Sequence, residues 1–133
     1  MEKITRQEAI EKIKGWALYL ESTDPEAEGF TDAIEPLILP IVNGRLDFDE
    51  EAGTFNLKLK TPIQGEKETK ELVTIHELTI AEKKVVQRFK DAEKIDQSEA
   101  LLAKAIDIPL GHASKIGSRD QTVISAVLTV FFS

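Results

Sequence analysis

Cysteine is absent from the chain, which removes disulfides, thiolate metal sites, iron–sulfur clusters and cysteine nucleophiles together. Long hydrophobic runs are lacking too. Leu37 to Val42 is short and broken by Pro40, and Val123 to Val130 is broken by Ser125 and Thr129, so neither reads as a membrane span. The opening residues, Met1 to Arg6, lead into a charged amphipathic stretch, not an apolar run ending at small residues. No secretory leader is expected, and a cytoplasmic location is. Basic residues are in deficit: 17 Lys and Arg face 24 Asp and Glu, a net charge of −7. Phosphate binding draws its free energy from clustered Lys and Arg, so nucleic acid is not an expected partner. The deficit is uneven, with 7 basic against 13 acidic residues over 1–60 and 10 against 11 over 61–133. The acidic half reads as a solvated surface, with a basic partner as the alternative.

What remains is a globular composition, 41% hydrophobic and 31% charged over 133 residues, which fits one domain with a single core. Thr5-Arg6-Gln7-Glu8 matches a capping box, and Ala9, Ile10, Ile13, Ala17 and Leu20 place an apolar stripe on a helix over 6–21, with Trp16 at its edge. Residues 22–29 read as an exposed acidic loop. Residues 30–42 stay open between an edge strand and a buried connection, because Pro36 and Pro40 punctuate them. Leu46 and Phe48, then Phe55, Leu57 and Leu59, alternate with polar residues around a turn at Gly53 and predict a β-hairpin. A second pairing follows from Ile63, then Leu72, Val73 and Ile75, with Leu78 and Ile80 beyond.

Helical spacing takes over at a second capping box, Thr79-Ile80-Ala81-Glu82, and continues through Val85, Val86 and Phe89. Asp96 or Ser98 is placed to cap a helix that carries Leu101, Leu102, Ala105 and Ile106 and ends before Pro109. A short helix reaches Ile116. Gly117 and a third capping box, Ser118-Arg119-Asp120-Gln121, then open a last helix with Val123, Ile124, Val127, Leu128 and Phe131 on its apolar side. The fold class expected is α+β: a small antiparallel sheet of three to four strands, an N-terminal helix and a C-terminal group of three to four helices.

Chemistry-bearing patterns are sparse. His76 and His112 stand in no ligand or triad spacing and read as structural or surface residues. Asp47, Asp49 and Glu51 alternate as hard-cation ligands do, but without the spacing of a calcium loop. Gly65, Gly111 and Gly117 form no phosphate cradle. No catalytic residue, cofactor or metal is expected. A small enzyme or metal-dependent regulator drawing on the acidic half is the least favoured alternative. The strongest anomaly is the apolar ending, Thr129 to Phe132, where chain ends are usually polar. Adjacent phenylalanines on a helix point to different sides, so both are buried only by a core that wraps the end or by another molecule.

Several blocks from residue 55 onward resemble the tail assembly chaperones of contractile-tailed phages and prophages. Phe55 to Ile63 is similar to that family's opening strand with its Pro-Ile, and Ile75 to Glu82 to its Glu-Leu-Thr element. Leu101 to Ala103, Ile106 to Pro109, Ser118 to Asp120 and Val127 to Phe132 follow its helices in order. The resemblance makes 1–54 an extension, carrying the first helix and the first hairpin strand, on one 1–133 domain. It implies a non-enzymatic protein of the bacterial host cytosol that binds the tape-measure protein, or other tail proteins, until the tube polymerises around it. It also implies a longer frameshifted product near Phe131-Phe132. The contact expected is helix-in-groove, through Val123, Val127, Phe131 and Phe132, joined by Val86 and Phe89. Ordinary core is the competing reading for Val123 and Val127, and self-association through the hairpin edge or the last helix is a further possibility. The alternative function is a structural adaptor or tail-completion protein.

Overall fold

The computed structural model describes residues 4–65, 67–87 and 94–132. Two helices, α1 (Arg6–Leu20) and α2 (Phe30–Val42), precede three strands, β1 (Leu46–Asp49), β2 (Thr54–Gln64) and β3 (Thr69–Ile75). Helices α3 (Ile80–Gln87) and α4 (Lys94–Ala105), a 3-10 helix (Leu110–Lys115) and α5 (Ser118–Phe131) follow among the described residues. The α+β class is the one expected, with the sheet at three antiparallel strands in the order β1-β2-β3.

Two of the three capping boxes form. Thr5 and Glu8 exchange side-chain and backbone bonds at the start of α1. Thr79 and Glu82 do the same at α3, at 3.0 and 3.1 Å. The accepted N–H of Thr79 holds the exposed Glu82 carboxyl below its usual range. The third box does not form: Gly117 caps α5 without a side-chain bond, and Asp120 turns inward. Helix α4 begins at Lys94, so Asp96 and Ser98 lie inside it and not at its cap.

Residues 30–42, read as strand or connection, are a helix with both prolines inside it. The reason is a balance of magnitudes. An interior proline costs a helix about 3 kcal/mol, while fully burying one large apolar side chain yields about 1.5–3 kcal/mol. Phe30, Ile34, Leu37, Ile38 and Ile41 fall on one helical face and are all buried, which outweighs two prolines. Leu78 and Ile80, read as apolar strand residues, lie beyond β3, and Ile80 opens α3.

One face of the sheet carries Leu46, Phe48, Phe55, Leu57, Val73 and Ile75 into a core shared with α1, α2 and α5. At its centre stands Phe55, fully buried. Its ring lies 4.7 Å from Phe48, 5.6 Å from Trp16, 4.6 Å from Phe131 and 5.7 Å from Phe132. Trp16, expected at the stripe's edge, is thus central to it. The N-terminal residues are no appendage, since α1, α2 and β1 supply much of this one cluster.

The sheet is joined to α5 at an irregularity. Lys58 pairs with Leu72 and Ile63 with Lys70, so four residues of β2 oppose one of β3. Asp120, fully buried, accepts the N–H groups of Lys60 and Thr61 there, both at 2.9 Å. It also accepts from Arg45 Nη2 at 2.9 Å, and Arg45 Nε donates to the Lys58 carbonyl. Pro62, next in the chain, has no N–H to satisfy. An added Cβ at Gly117 would lie 2.8 Å from the Thr61 hydroxyl, so only glycine lets the start of α5 come this close.

Replacing Asp120 by Ala leaves two buried amides unpartnered and the largely buried Arg45 guanidinium with only the Lys58 carbonyl, and a loss of about 3–5 kcal/mol in urea unfolding is expected. Asp120→Asn, which keeps one acceptor oxygen, should lose about 1–3 kcal/mol. Equal losses for the two variants would show that the oxygen kept by Asn supports neither amide, and that charge alone makes the junction.

Candidate functional site

The structure takes four of the residues read as a contact surface into the core. Val123, Val127, Phe131 and Phe132 are all buried. Trp16 and Phe55 receive Phe131, and Phe55 receives Phe132 as well, so this stripe faces inward. Both phenylalanines fit because α5 stops at Phe131. Phe132, at φ −128° and ψ 17°, leaves helical geometry and turns its ring back to the same cluster. The side chain of Val86 and the whole of Phe89 lie outside the described residues.

Accessible apolar surface is found instead on the other sides of the last turn of α5. One groove, of about 230 Å³, is lined by Leu78, Leu101, Leu128, Thr129 and the edge of Phe132, with Lys83 at its rim. A second, of about 220 Å³, is lined by Phe30, Ala33, Ile34, Thr129 and Val130, with Glu28 at its rim. Exposed Thr129 borders both. The turn between them is held in place by Thr23, whose hydroxyl donates to the Val130 carbonyl at 2.7 Å. That bond satisfies a carbonyl that the helix end would leave free. Ile80, 75% exposed, lies between Leu78 and Lys83 in the chain.

Sequence periodicity misses this surface because its walls come from α2, α3, α4 and α5 and converge only on folding. Leu128 is the nearest signal. Its spacing puts it on the apolar side of α5, yet it is only half-buried and faces the groove.

The acidic turn after β1 has a structural use. Asp49 Oδ1 accepts the N–H groups of Glu51 and Ala52 at 3.1 and 3.2 Å, which closes the turn that Gly53, at φ 70°, completes. Among the described residues no three His, Asp or Glu side chains converge as a metal would require. No helix among them is long and apolar enough to cross a membrane.

His76 follows β3 directly. Its N–H donates to the Ala105 carbonyl, its Nδ1 lies 3.0 Å from the Glu77 carbonyl, and its Nε2 lies 3.4 Å from Asp107 Oδ1 without hydrogen-bond alignment. Partial burial pulls the imidazole pKa down. The Glu77 carbonyl and the Asp107 carboxylate, with Glu82 farther off, outweigh that and raise it above its ordinary value.

No family model, curated protein or solved structure matches the chain.

The raised imidazole fixes the sign of a pH effect. Stabilisation from His76 is complete below the unfolded imidazole pKa, about 6.5, and is lost as pH rises through the folded one. Thermal unfolding followed by circular dichroism should show this decline, and Asp107→Asn should flatten it. Asn is the suitable replacement because residue 107 sits at φ 54°, a conformation Asn tolerates. A decline of the same size in the Asn variant would sink the ion contact as its cause.

Proposed function

We propose that the chain is a non-enzymatic tail assembly chaperone of a contractile-tailed phage or prophage. In this reading it works in the bacterial host cytosol and holds a helical segment of the tape-measure protein during tail morphogenesis. The observation that carries the reading is the pair of apolar grooves flanking the last turn of α5, rimmed by Lys83 on one side and Glu28 on the other. An amphipathic helix lays its apolar face into such depressions while charged rims keep the complex in solution. The blocks of residues from Phe55 to Phe132 that resemble the tail assembly chaperones support the same role. Contact through the groove lining leaves the aromatic core intact, so binding requires no unfolding of α5.

Truncating the chain ahead of Val130 is not a clean test, because Val130, Phe131 and Phe132 are core residues. Thr129→Arg is better: the residue is exposed and borders both grooves. Placing an uncompensated charge in a desolvated contact costs about 2 kcal/mol or more, a weakening of at least about thirtyfold. Co-purification with the long coiled-coil tape-measure protein should therefore be lost in Thr129→Arg and kept in Leu72→Asp, which alters an exposed residue on the sheet. Retained binding in Thr129→Arg would remove the grooves from the mechanism. Recovery of the protein in finished particles would favour the adaptor reading, since a chaperone leaves before completion.

A further inference from the structure

Two walls of the groove beside Leu128 are joined through a histidine whose ring nitrogens both face oxygen acceptors. Leu78, shortly after His76, forms the wall on the link from β3 to α3, and Leu101, one turn before Ala105, forms the wall on α4. Between them the His76 N–H donates to the Ala105 carbonyl at 2.9 Å. His76 Nε2 lies 3.4 Å from Asp107 Oδ1, just past the end of α4. The other ring nitrogen, Nδ1, lies 3.0 Å from the Glu77 carbonyl oxygen.

No neutral tautomer satisfies that arrangement. With the proton on Nδ1, the Glu77 carbonyl is served, but the lone pair of Nε2, a buried atom without a hydrogen-bond partner, faces a carboxylate oxygen. With the proton on Nε2, the Nδ1 lone pair faces the carbonyl oxygen instead. Only the imidazolium presents an N–H to each acceptor. Asp107 points the same way. It follows α4 at φ 54°, where glycine or asparagine is the usual occupant, and a carboxylate there opposes the negative end of the helix dipole. An acid held against both preferences marks a partner outside its own helix. Among the described residues, the other charged group acting on the ring is Glu82 from the first turn of α3, which also feels Lys104 of α4. The adjacent Glu77 is exposed.

We propose that His76 and Asp107 form a pH-operated latch between these two walls of the groove, set while the imidazole is charged and slack once it is neutral. In the charged state a backbone bond and an ion contact join the β3–α3 link to α4, and Leu78 and Leu101 are held at one spacing. Loss of the proton turns a lone pair against the Asp107 carboxylate and leaves the backbone bond to hold the walls. The inference rests on the reading of this groove as a client site and adds its regulation. A helical client binds the set groove more tightly and, by linkage, raises the proton affinity of His76 by the same factor.

The test is a magnetic-resonance titration of the full-length chain, labelled at leucine methyls and histidine rings, from about pH 5.5 to about pH 8.5, a range that leaves carboxylates ionised and lysines charged. The Leu78, Leu101 and Leu128 methyls should move with the midpoint of the His76 ring, while those of Leu37 and Leu46 should stay. Asp107→Asn should lower the His76 midpoint by about half a pH unit, about a threefold loss of proton affinity. His76→Gln, which keeps an N–H donor and does not titrate, should leave the same methyls flat. Groove leucines that stay flat while His76 titrates would detach the latch from the groove and overturn the proposal. A His76 midpoint at or below the ordinary imidazole value of about 6.5 overturns it too. Movement that persists in His76→Gln, or that follows the His112 midpoint, reassigns the effect to another group with the same result. The unmodified chain decides the matter even if His76→Gln folds poorly. These readouts need no client, so their failure is distinct from failure of the groove assignment, which Thr129→Arg tests at one fixed pH.

Discussion

Three donors converging on the Asp120 carboxylate hold the sheet to the last helix, and the rest of the architecture is arranged around that junction. A strand whose ladder is interrupted exposes amides that water would otherwise satisfy, and burying them unpaired costs more than most packing contacts contribute. Asp120 receives two such amides and the Arg45 guanidinium together. Its position in the first turn of α5 adds the favourable field of the helix N-terminus. Arg45, in turn, bonds to the Lys58 carbonyl across the first hairpin, so β1, β2 and α5 are fixed by one buried cluster. A pair of this kind is a specificity device as much as a stabilising one, because desolvating both charges offsets much of their attraction. What it selects is register. Slipping β2 by one residue would bring the wrong amides to the carboxylate and turn Phe55 out of the core.

From that junction α5 runs across the core to its other end, where the aromatic cluster closes around Phe55. The residues before β2 are indispensable here, since Trp16 and Phe48 form one side of the cluster and α2 packs along α5. A segment starting at Phe55 would lack these walls. The sequence blocks that resemble a known family therefore fall within a domain that they do not complete by themselves.

Much of this is legible in the residues. Period-two alternation places β1 and β2, and the first two capping boxes mark the starts of α1 and α3, because these signals depend only on neighbours in the chain. The failures each have a non-local cause. Pro36 and Pro40 argue locally against a helix, and only the burial of Phe30, Leu37, Ile38 and Ile41 against other elements reverses that preference. Ser118 to Gln121 looks like a cap, but the helix starts one residue earlier, with Gly117 at the cap where α5 closes on Thr61, a strand residue far away in the chain. The stripe through Val123, Val127 and Phe131 is apolar as its spacing says, but it points inward, since periodicity locates a buried face without saying what buries it. The grooves beside Thr129 have no linear signature, being made of scattered residues from four helices.

A helix held at both ends by different chemistry separates the surfaces around it. At its start, polar bonds to the amides of Lys60 and Thr61 fix α5 to β2. At its finish, one hydroxyl bond from Thr23 and the packing of Phe131 and Phe132 secure the turn that divides the two grooves. Apolar packing is non-directional, so that end accommodates small shifts which the Asp120 junction does not. The start of α5 is therefore set by directional polar bonds and its finish by apolar packing. The division of labour follows from where the chain buries the Asp120 carboxylate and where it gathers its aromatic rings.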